Sequence, residues 1–171
     1  FSYLNISPFI YGQVYAIPAN LVGIYFAANS ALAYIGSQIG ARLSNRFQPQ
    51  WVLLGCLIVC LLAGVVMTVG ELNLGSIWIF QSMLMLFTFG FGATVTPVFA
   101  LAMAAHPNEA GTAAGVLGVA GFVFTTALAG VYLLLDHTSG AGVGTGMAVS
   151  MTIGILILFA VVRPSKLAKL T

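Results

Sequence analysis

The sequence predicts an all-α fold, a polytopic bundle of membrane helices, from three observations. First, 60% of the 171 residues are hydrophobic and only 5% are charged, whereas a soluble domain carries about 25% charged residues. Second, the charged residues lie at breaks between apolar stretches that are each long enough to cross a hydrocarbon core of about 20 helical residues. Third, the stretches lack the polar–apolar alternation of membrane β-strands, so helices are expected to satisfy the backbone in lipid.

The breaks divide the chain into six segments. The first is a partial helix over residues 1–12, because polar turn residues follow after about half a membrane crossing. Five full spans are predicted in the ranges 19–41, 51–70, 76–104, 110–135 and 144–162. The chain begins at Phe1 without a basic leader or a cleavage site, so we expect a fragment whose earlier part is missing rather than a signal peptide.

The cations predict the orientation of the bundle. Arg42 and Arg46 follow the second segment, and Arg163, Lys166 and Lys169 follow the last, whereas the alternate breaks carry no Lys or Arg. Because basic residues resist translocation, the breaks that hold them are expected to face the cytoplasm. The C-terminus is therefore predicted to be cytoplasmic.

Several functional classes are disfavoured by the composition. A net charge of +2 is too small to indicate a nucleic-acid partner. Cys56 and Cys60 lie four residues apart on one helical face without a nearby His, which favours packing over a metal site or a disulfide framework. His106 and His137 fall at breaks on opposite sides of the membrane, so no intramembrane catalytic pair is expected. We predict no enzyme, no cofactor and no metal.

Small residues are expected to pack the helices, because close backbone approach supplies the packing energy in lipid. The fifth segment carries Gly111, Gly115 and Gly118 at helical spacing, which predicts a helix-packing face. The second segment carries a similar stripe of Asn29, Ala33, Gly36 and Gly40.

Polar residues are unevenly distributed among the segments. The fourth segment carries Gln81, Met85 and Thr88 on one helical stripe, and the first carries Asn5, whereas the third and sixth have few polar residues. Polar groups in mid-membrane are costly, so segments one, two, four and five are predicted to surround a cavity while three and six face lipid. An alternative for Gln81 and Asn29 is hydrogen bonding between helices that stabilises the bundle.

Three runs of sequence resemble a known family: NISPF at 5–9, GSQIGARL at 36–43 and PNEAGTAAGVLG at 107–118. They resemble the C-terminal half of major facilitator transporters, and the last run is most similar to the Bcr/CflA drug-resistance branch. The resemblance covers the whole chain but only helices seven to twelve of a twelve-helix family. It therefore implies one six-helix bundle over residues 1–171, with the N-terminal bundle absent.

The resemblance implies a multi-pass protein of the bacterial inner membrane that exchanges protons for drug-like or small metabolite molecules by alternating access. Its expected partners are the lipid bilayer, a small-molecule substrate, protons and the missing N-terminal half. By analogy, the cavity wall comprises Asn5, Phe9, Asn29, Gln81, Met85 and Thr88. No acidic residue lies in the middle of a span, so the coupling carboxylate is expected in the N-terminal half.

Two other interpretations stay open from the sequence. The chain is alternatively a natural six-helix protein, either a half-transporter or a membrane interaction subunit that pairs with another chain. The substrate is alternatively not a drug but a sugar or a nucleoside.

Overall fold

The computed structural model describes residues 10–105, 110–134 and 140–159, and within these ranges the regular elements are all helical. A π-helical turn, Ile10–Val14, precedes five α-helices that correspond to the second to sixth predicted segments. These are α1 (Ala19–Arg46), α2 (Pro49–Leu74), α3 (Ile77–Ala105), α4 (Ala110–Leu134) and α5 (Gly140–Ile157). The prediction of an all-α bundle is confirmed.

The helix bounds differ most from the prediction at the α1–α2 connection. We predicted that the second span ends at residue 41, but α1 continues through Arg42 and ends at Arg46, and Pro49 opens α2. A helix can extend past the hydrocarbon edge when long basic side chains reach the polar layer, so the first charge does not mark the helix end. Similarly, α5 begins at Gly140 rather than at residue 144, and the predicted residues 160–162 lie outside the described ranges.

By length and composition alone, two helices in the described ranges are long and apolar enough to cross a membrane, over Pro49–Asn73 and Ile77–Met103. Shorter apolar stretches occupy Ala114–Phe124 in α4 and Gly142–Ile157 in α5. Helix α1 is long, but its Asn, Ser and Gln residues make it more polar than α2 and α3. Of these polar residues, Asn29 is buried on the face that α1 presents to α3, whereas Asn20, Ser30, Gln38 and Asn45 are exposed.

The two helices α1 and α3 run side by side with their backbones in close contact. A side chain at Gly36 would collide with the backbone carbonyl of Phe89, and one at Gly40 would collide with the backbone of Ala93. From the other helix, a side chain at Gly92 would collide with the carbonyl of Ala33. The predicted packing stripe on α1 is confirmed, because the small residues of this stripe let the backbones of α1 and α3 approach each other closely.

Helix α2 packs against both α3 and α5. Gly90 of α3 leaves room for the sulfur of Cys60, and Gly144 of α5 lies against Thr68 and the carbonyl of Gly64. Cys60 is fully buried in this interface, as its predicted packing role requires. The third and sixth segments, predicted to lie outside the cavity, thus pair with each other.

Helix α4 has few contacts with the rest of the described bundle, and its main contact is with α3. Its glycine stripe, Gly111, Gly115 and Gly118, meets open space: a Cβ added at any of them has no described neighbour within 4 Å. The packing predicted for this stripe is therefore not made within the described part of the chain. It stays a prediction about a surface that another helix would cover.

Candidate functional site

The site begins at the π-helical turn, Ile10–Val14, which spans the predicted end of the first segment at residue 12 and the start of the break that follows. The N–H of Tyr15 donates to the carbonyl of Ile10 (3.1 Å), and the N–H of Ile17 donates to the carbonyl of Tyr11 (2.8 Å). Between them Ala16 adopts a left-handed conformation with φ of 50°, which ends the turn as a glycine usually does after a helix. π-Helical turns are rare and often occur at functional sites. This one buries the side chain of Tyr11 completely.

Aromatic rings from α1 and α3 enclose Tyr11. Its ring stacks on Tyr25, with centroids 5.4 Å apart and planes 13° from parallel. The rings of Phe26 and Phe80 meet it edge-on at 6.3 Å and 5.7 Å. Both geometries are favourable for aromatic quadrupoles, so this aromatic cluster fixes where the Tyr11 hydroxyl lies.

From that hydroxyl a chain of hydrogen bonds crosses the α1–α3 interface. Tyr11 donates to Oε1 of Gln81 at 2.5 Å, and Nε2 of Gln81 donates to Oδ1 of Asn29 at 3.3 Å. Gln81 and Asn29 are only 4% and 1% exposed. The Nδ2 of Asn29 is buried with no hydrogen-bond partner among the described residues, and an unsatisfied buried donor costs free energy. This polar chain of hydrogen bonds therefore ends at the Nδ2 group of Asn29, a donor that bonds to no described residue.

Two of the other predicted cavity residues, Met85 and Thr88, lie on α3. Met85 is half-buried on the same stripe of α3 as Gln81. Thr88 is buried, and its hydroxyl donates to the carbonyl of Leu84 (2.5 Å) and lies 3.2 Å from that of Met85, so its polar group is satisfied by its own helix. Asn5 and Phe9 lie outside the described residues.

A second polar contact joins the π-helical turn to the end of α2. The hydroxyl of Tyr15 donates to Oε2 of Glu71 at 2.5 Å, and the other carboxylate oxygen, Oε1, is buried without a partner in the described ranges. Burial, and then the hydrogen bond and charge of Glu71, raise the pKa of Tyr15 above its ordinary value. Tyr15 therefore stays a donor at physiological pH, and it holds the turn against α2.

The polar chain is uncharged, which limits its chemistry. Glu71 is the one acidic residue within the described ranges, and no group of three or more potential metal ligands occurs among the residues that could be searched there. Amide donors and acceptors beside aromatic rings suit a neutral polar ligand with an apolar body. They offer no nucleophile or general base.

Comparison of the sequence with known proteins places the chain in a family. The family model of the Major Facilitator Superfamily matches residues 1–130, more than half of the chain. The chain belongs to the major facilitator superfamily. Membership of this transporter family makes it a multi-pass membrane protein.

Among curated proteins, this facilitator chain is similar to the uncharacterized MFS-type transporter YdgK of Bacillus subtilis (strain 168). The identity is 23% over 163 residues, which cover 95% of this chain. They cover only 40% of the relative, so the chain spans less than half of that protein's length. No solved structure matches the chain.

Sequence reasoning missed the aromatic and acidic members of this facilitator site: Tyr11, Tyr15, Tyr25, Phe26, Phe80 and Glu71. A signal was present, since Tyr11 and Tyr15 lie four residues apart and Tyr25 and Phe26 follow in the next helix. Aromatic residues are so frequent in membrane helices and at their ends that this spacing has little weight alone. The π-helical geometry that brings the two tyrosines to different partners has no comparable sequence signature.

Proposed function

We propose that this chain is the C-terminal half, helices seven to twelve, of a proton-coupled exporter of the Bcr/CflA type in the bacterial inner membrane. The transporter would move drug-like or small metabolite molecules by alternating access of two six-helix bundles. The 40% coverage of the YdgK relative supports half of a transporter, the runs at 5–9, 36–43 and 107–118 resemble the C-terminal half, and the cations at alternate breaks favour a cytoplasmic C-terminus.

The unused amide donor of Asn29 is the observation that carries the proposal. A buried, unpaired N–H is expensive, and a substrate oxygen would satisfy it. The partly buried rings of Tyr25 and Phe26, which pack on Tyr11, supply apolar groups on the same helix, and apolar groups with a few polar ones are typical of small-molecule sites. We therefore propose that Asn29 and Gln81 orient the substrate, and that Met85 supplies adaptable apolar contact. Asn5, Phe9 and Thr88 complete the proposed wall.

Proton coupling in this proposal depends on the half that the chain does not contain. A coupling group must change protonation according to the side of the membrane that it faces, and embedded acids usually serve. Within the described spans the only acid, Glu71, lies in the last turn of α2 and is tied to Tyr15. The carboxylate that drives export is therefore proposed to lie in helices one to six.

The test is an accumulation assay with the intact transporter that carries this chain. Cells expressing it should accumulate less of an amphipathic drug than cells without it, and a protonophore should abolish the difference. The panel should include sugars and nucleosides beside drugs. Export of none of the drugs, or export that persists after the proton gradient is collapsed, would contradict the proposal.

A further inference from the structure

A groove between α1, α2 and α3 lies apart from the polar chain, near the connection of α1 to α2. Its volume is about 430 Å³ and its surface is almost entirely apolar. Among the lining residues are Ile39, Leu43, Phe47, Trp51, Gly55 and Phe89. It offers almost no hydrogen-bonding groups, so it is unsuited to the polar ligand proposed above.

The groove is open, and its rim has the character of a membrane interface. Phe47 and Trp51, which flank the α1–α2 connection, are 63% and 51% exposed. Trp is enriched where hydrocarbon meets the polar layer of a bilayer. The groove therefore runs from this interface toward the hydrocarbon core, the path of a lipid tail.

Two cations stand at the interfacial end of the groove. Arg46 lies in the last turn of α1, three residues after Leu43 and seven after Ile39, so helical periodicity places it beside the lining stripe. Arg42 precedes Leu43, and both arginines are exposed. The one acid of the described residues, Glu71, lies at the opposite end of α2, so no described carboxylate neutralises this end.

We propose that the groove binds an anionic phospholipid, with one acyl chain along the apolar lining and the phosphate at Arg42 and Arg46. The occupant follows from the two parts of the site: the apolar groove fits a hydrocarbon chain, and the pair of cations fits an anionic headgroup. Arginine suits this role because its planar fork binds phosphate in a bidentate manner. This site would bind a lipid of the surrounding membrane, and it is separate from the proposed substrate site.

Native mass spectrometry of the intact protein, with phosphatidylglycerol and phosphatidylcholine of identical acyl chains, tests the headgroup. The wild type should retain phosphatidylglycerol preferentially. The double variant Arg42→Gln/Arg46→Gln should lose this preference by about fivefold for each arginine. An unchanged preference in the double variant would overturn the proposal.

A groove-filling variant tests the acyl chain. Gly55 lines the groove, and a Cβ there meets nothing within 4 Å, so Gly55→Leu should fill the space without a backbone clash and reduce the retention of both lipids. Gly23→Leu is the matched control, because Gly23 has the same open surroundings on α1 but is not among the groove residues. Equal retention by the two variants would place the lipid elsewhere and refute the site.

Cysteine modification gives an independent measurement. Cys56 lines the groove and is half-buried, whereas Cys60 is buried behind it. In nanodiscs, phosphatidylglycerol should slow the reaction of N-ethylmaleimide with Cys56 severalfold relative to phosphatidylcholine, and the double arginine variant should show no such protection. Identical rates in both lipids for the wild type would argue against occupancy of the groove.

Discussion

The side-chain nitrogen of Gln81 donates to the side-chain oxygen of Asn29 across the α1–α3 interface, at 3.3 Å. Both groups are buried, and the side-chain amide nitrogen of Asn29 has no partner in the part of the chain that the structure describes. Hydrogen bonds between membrane helices stabilise a bundle by about 0.6 kcal/mol on average. One long bond of this kind, offset by an unpaired donor, gives little net stability. This is the interhelical hydrogen bond expected as an alternative for the two residues, and its small net stability favours the additional ligand-binding role proposed above.

The substitution Asn29→Leu tests whether Asn29 serves ligand binding or helix association. The substitution removes one long hydrogen bond and one unpaired donor together, so we expect the free energy of unfolding to change by no more than about 0.6 kcal/mol. Transport should nevertheless be lost or altered. The measurements are denaturant unfolding in detergent and drug accumulation in cells. A large destabilisation with transport intact per folded molecule would instead make Asn29 a structural residue.

Close packing of α1 on α3 predicts that two glycines of α1 respond oppositely to alanine. Gly36→Ala places a methyl group against the carbonyl of Phe89, and overpacking of this kind costs about 1–3 kcal/mol. Gly23→Ala meets open space, so it should stabilise α1 by up to about 1 kcal/mol through helix propensity. Thermal unfolding of the two variants checks the order. Equal midpoints would show that the helices separate easily.

The contact between Tyr15 and Glu71 predicts an energetic coupling between the π-helical turn and α2. In a double-mutant cycle of Tyr15→Phe and Glu71→Gln, we expect a coupling energy of about 1–2 kcal/mol, because the acceptor is charged. Unfolding free energies of the four proteins at neutral pH give this value. Additive effects of the two substitutions would mean that the hydrogen bond contributes nothing.

The same contact predicts a pH dependence. The pKa of Tyr15 is raised in the folded protein, so folding favours the protonated phenol. This stabilisation is fully present below the pKa of an unfolded tyrosine, about 10, and is lost as the pH rises above it. The stability difference between the wild type and Tyr15→Phe should therefore shrink from pH 9 to pH 11. A stability difference that stays constant with pH would mean that the folded and unfolded states bind the Tyr15 proton equally well.

The strained residue Ala16 predicts a stabilising substitution. Its φ of 50° lies in the left-handed region, which costs an L-residue with a Cβ roughly 1 kcal/mol. Ala16→Gly should therefore raise the unfolding midpoint, although the greater freedom of glycine in the unfolded chain offsets part of the gain. Ala27→Gly, at an exposed helical position of α1, is the control and should be destabilising. A lower midpoint for Ala16→Gly would contradict the strain.

The fold was largely predictable from the sequence because its determinants are local and periodic. Long uncharged stretches define the helices, and the stripe around Gly36 indicates the face that packs. The end of α1 was placed too early because the pattern locates the edge of hydrocarbon, whereas the helix continues to Arg46. Gln81 and Asn29 were each identified as candidate cavity residues, since polar groups in membrane helices are rare, but the bond between them was not predicted.

The aromatic half of the site could not be predicted in the same way. Tyr11 reaches Gln81 because the π-helical turn changes the direction of its side chain, and this geometry depends on bonds such as Tyr15 to Ile10 that no residue type dictates. The contact of Glu71 with Tyr15 was likewise not predicted, because a charge at the end of a predicted span is ordinarily interpreted as solvated. Asn5 and Phe9 stay predictions.

The most direct test of the proposed substrate site is the export profile of Gln81→Ala in the intact transporter, measured over a broad panel of drugs, sugars and nucleosides. Gln50→Ala is the matched control, because Gln50 is also 4% exposed but bonds to its near neighbour Gln48 at the start of α2. We expect Gln81→Ala to change which compounds are exported, while Gln50→Ala leaves their rank order unchanged. An unchanged profile for Gln81→Ala across the panel would contradict the site and leave Gln81 as a helix-packing residue.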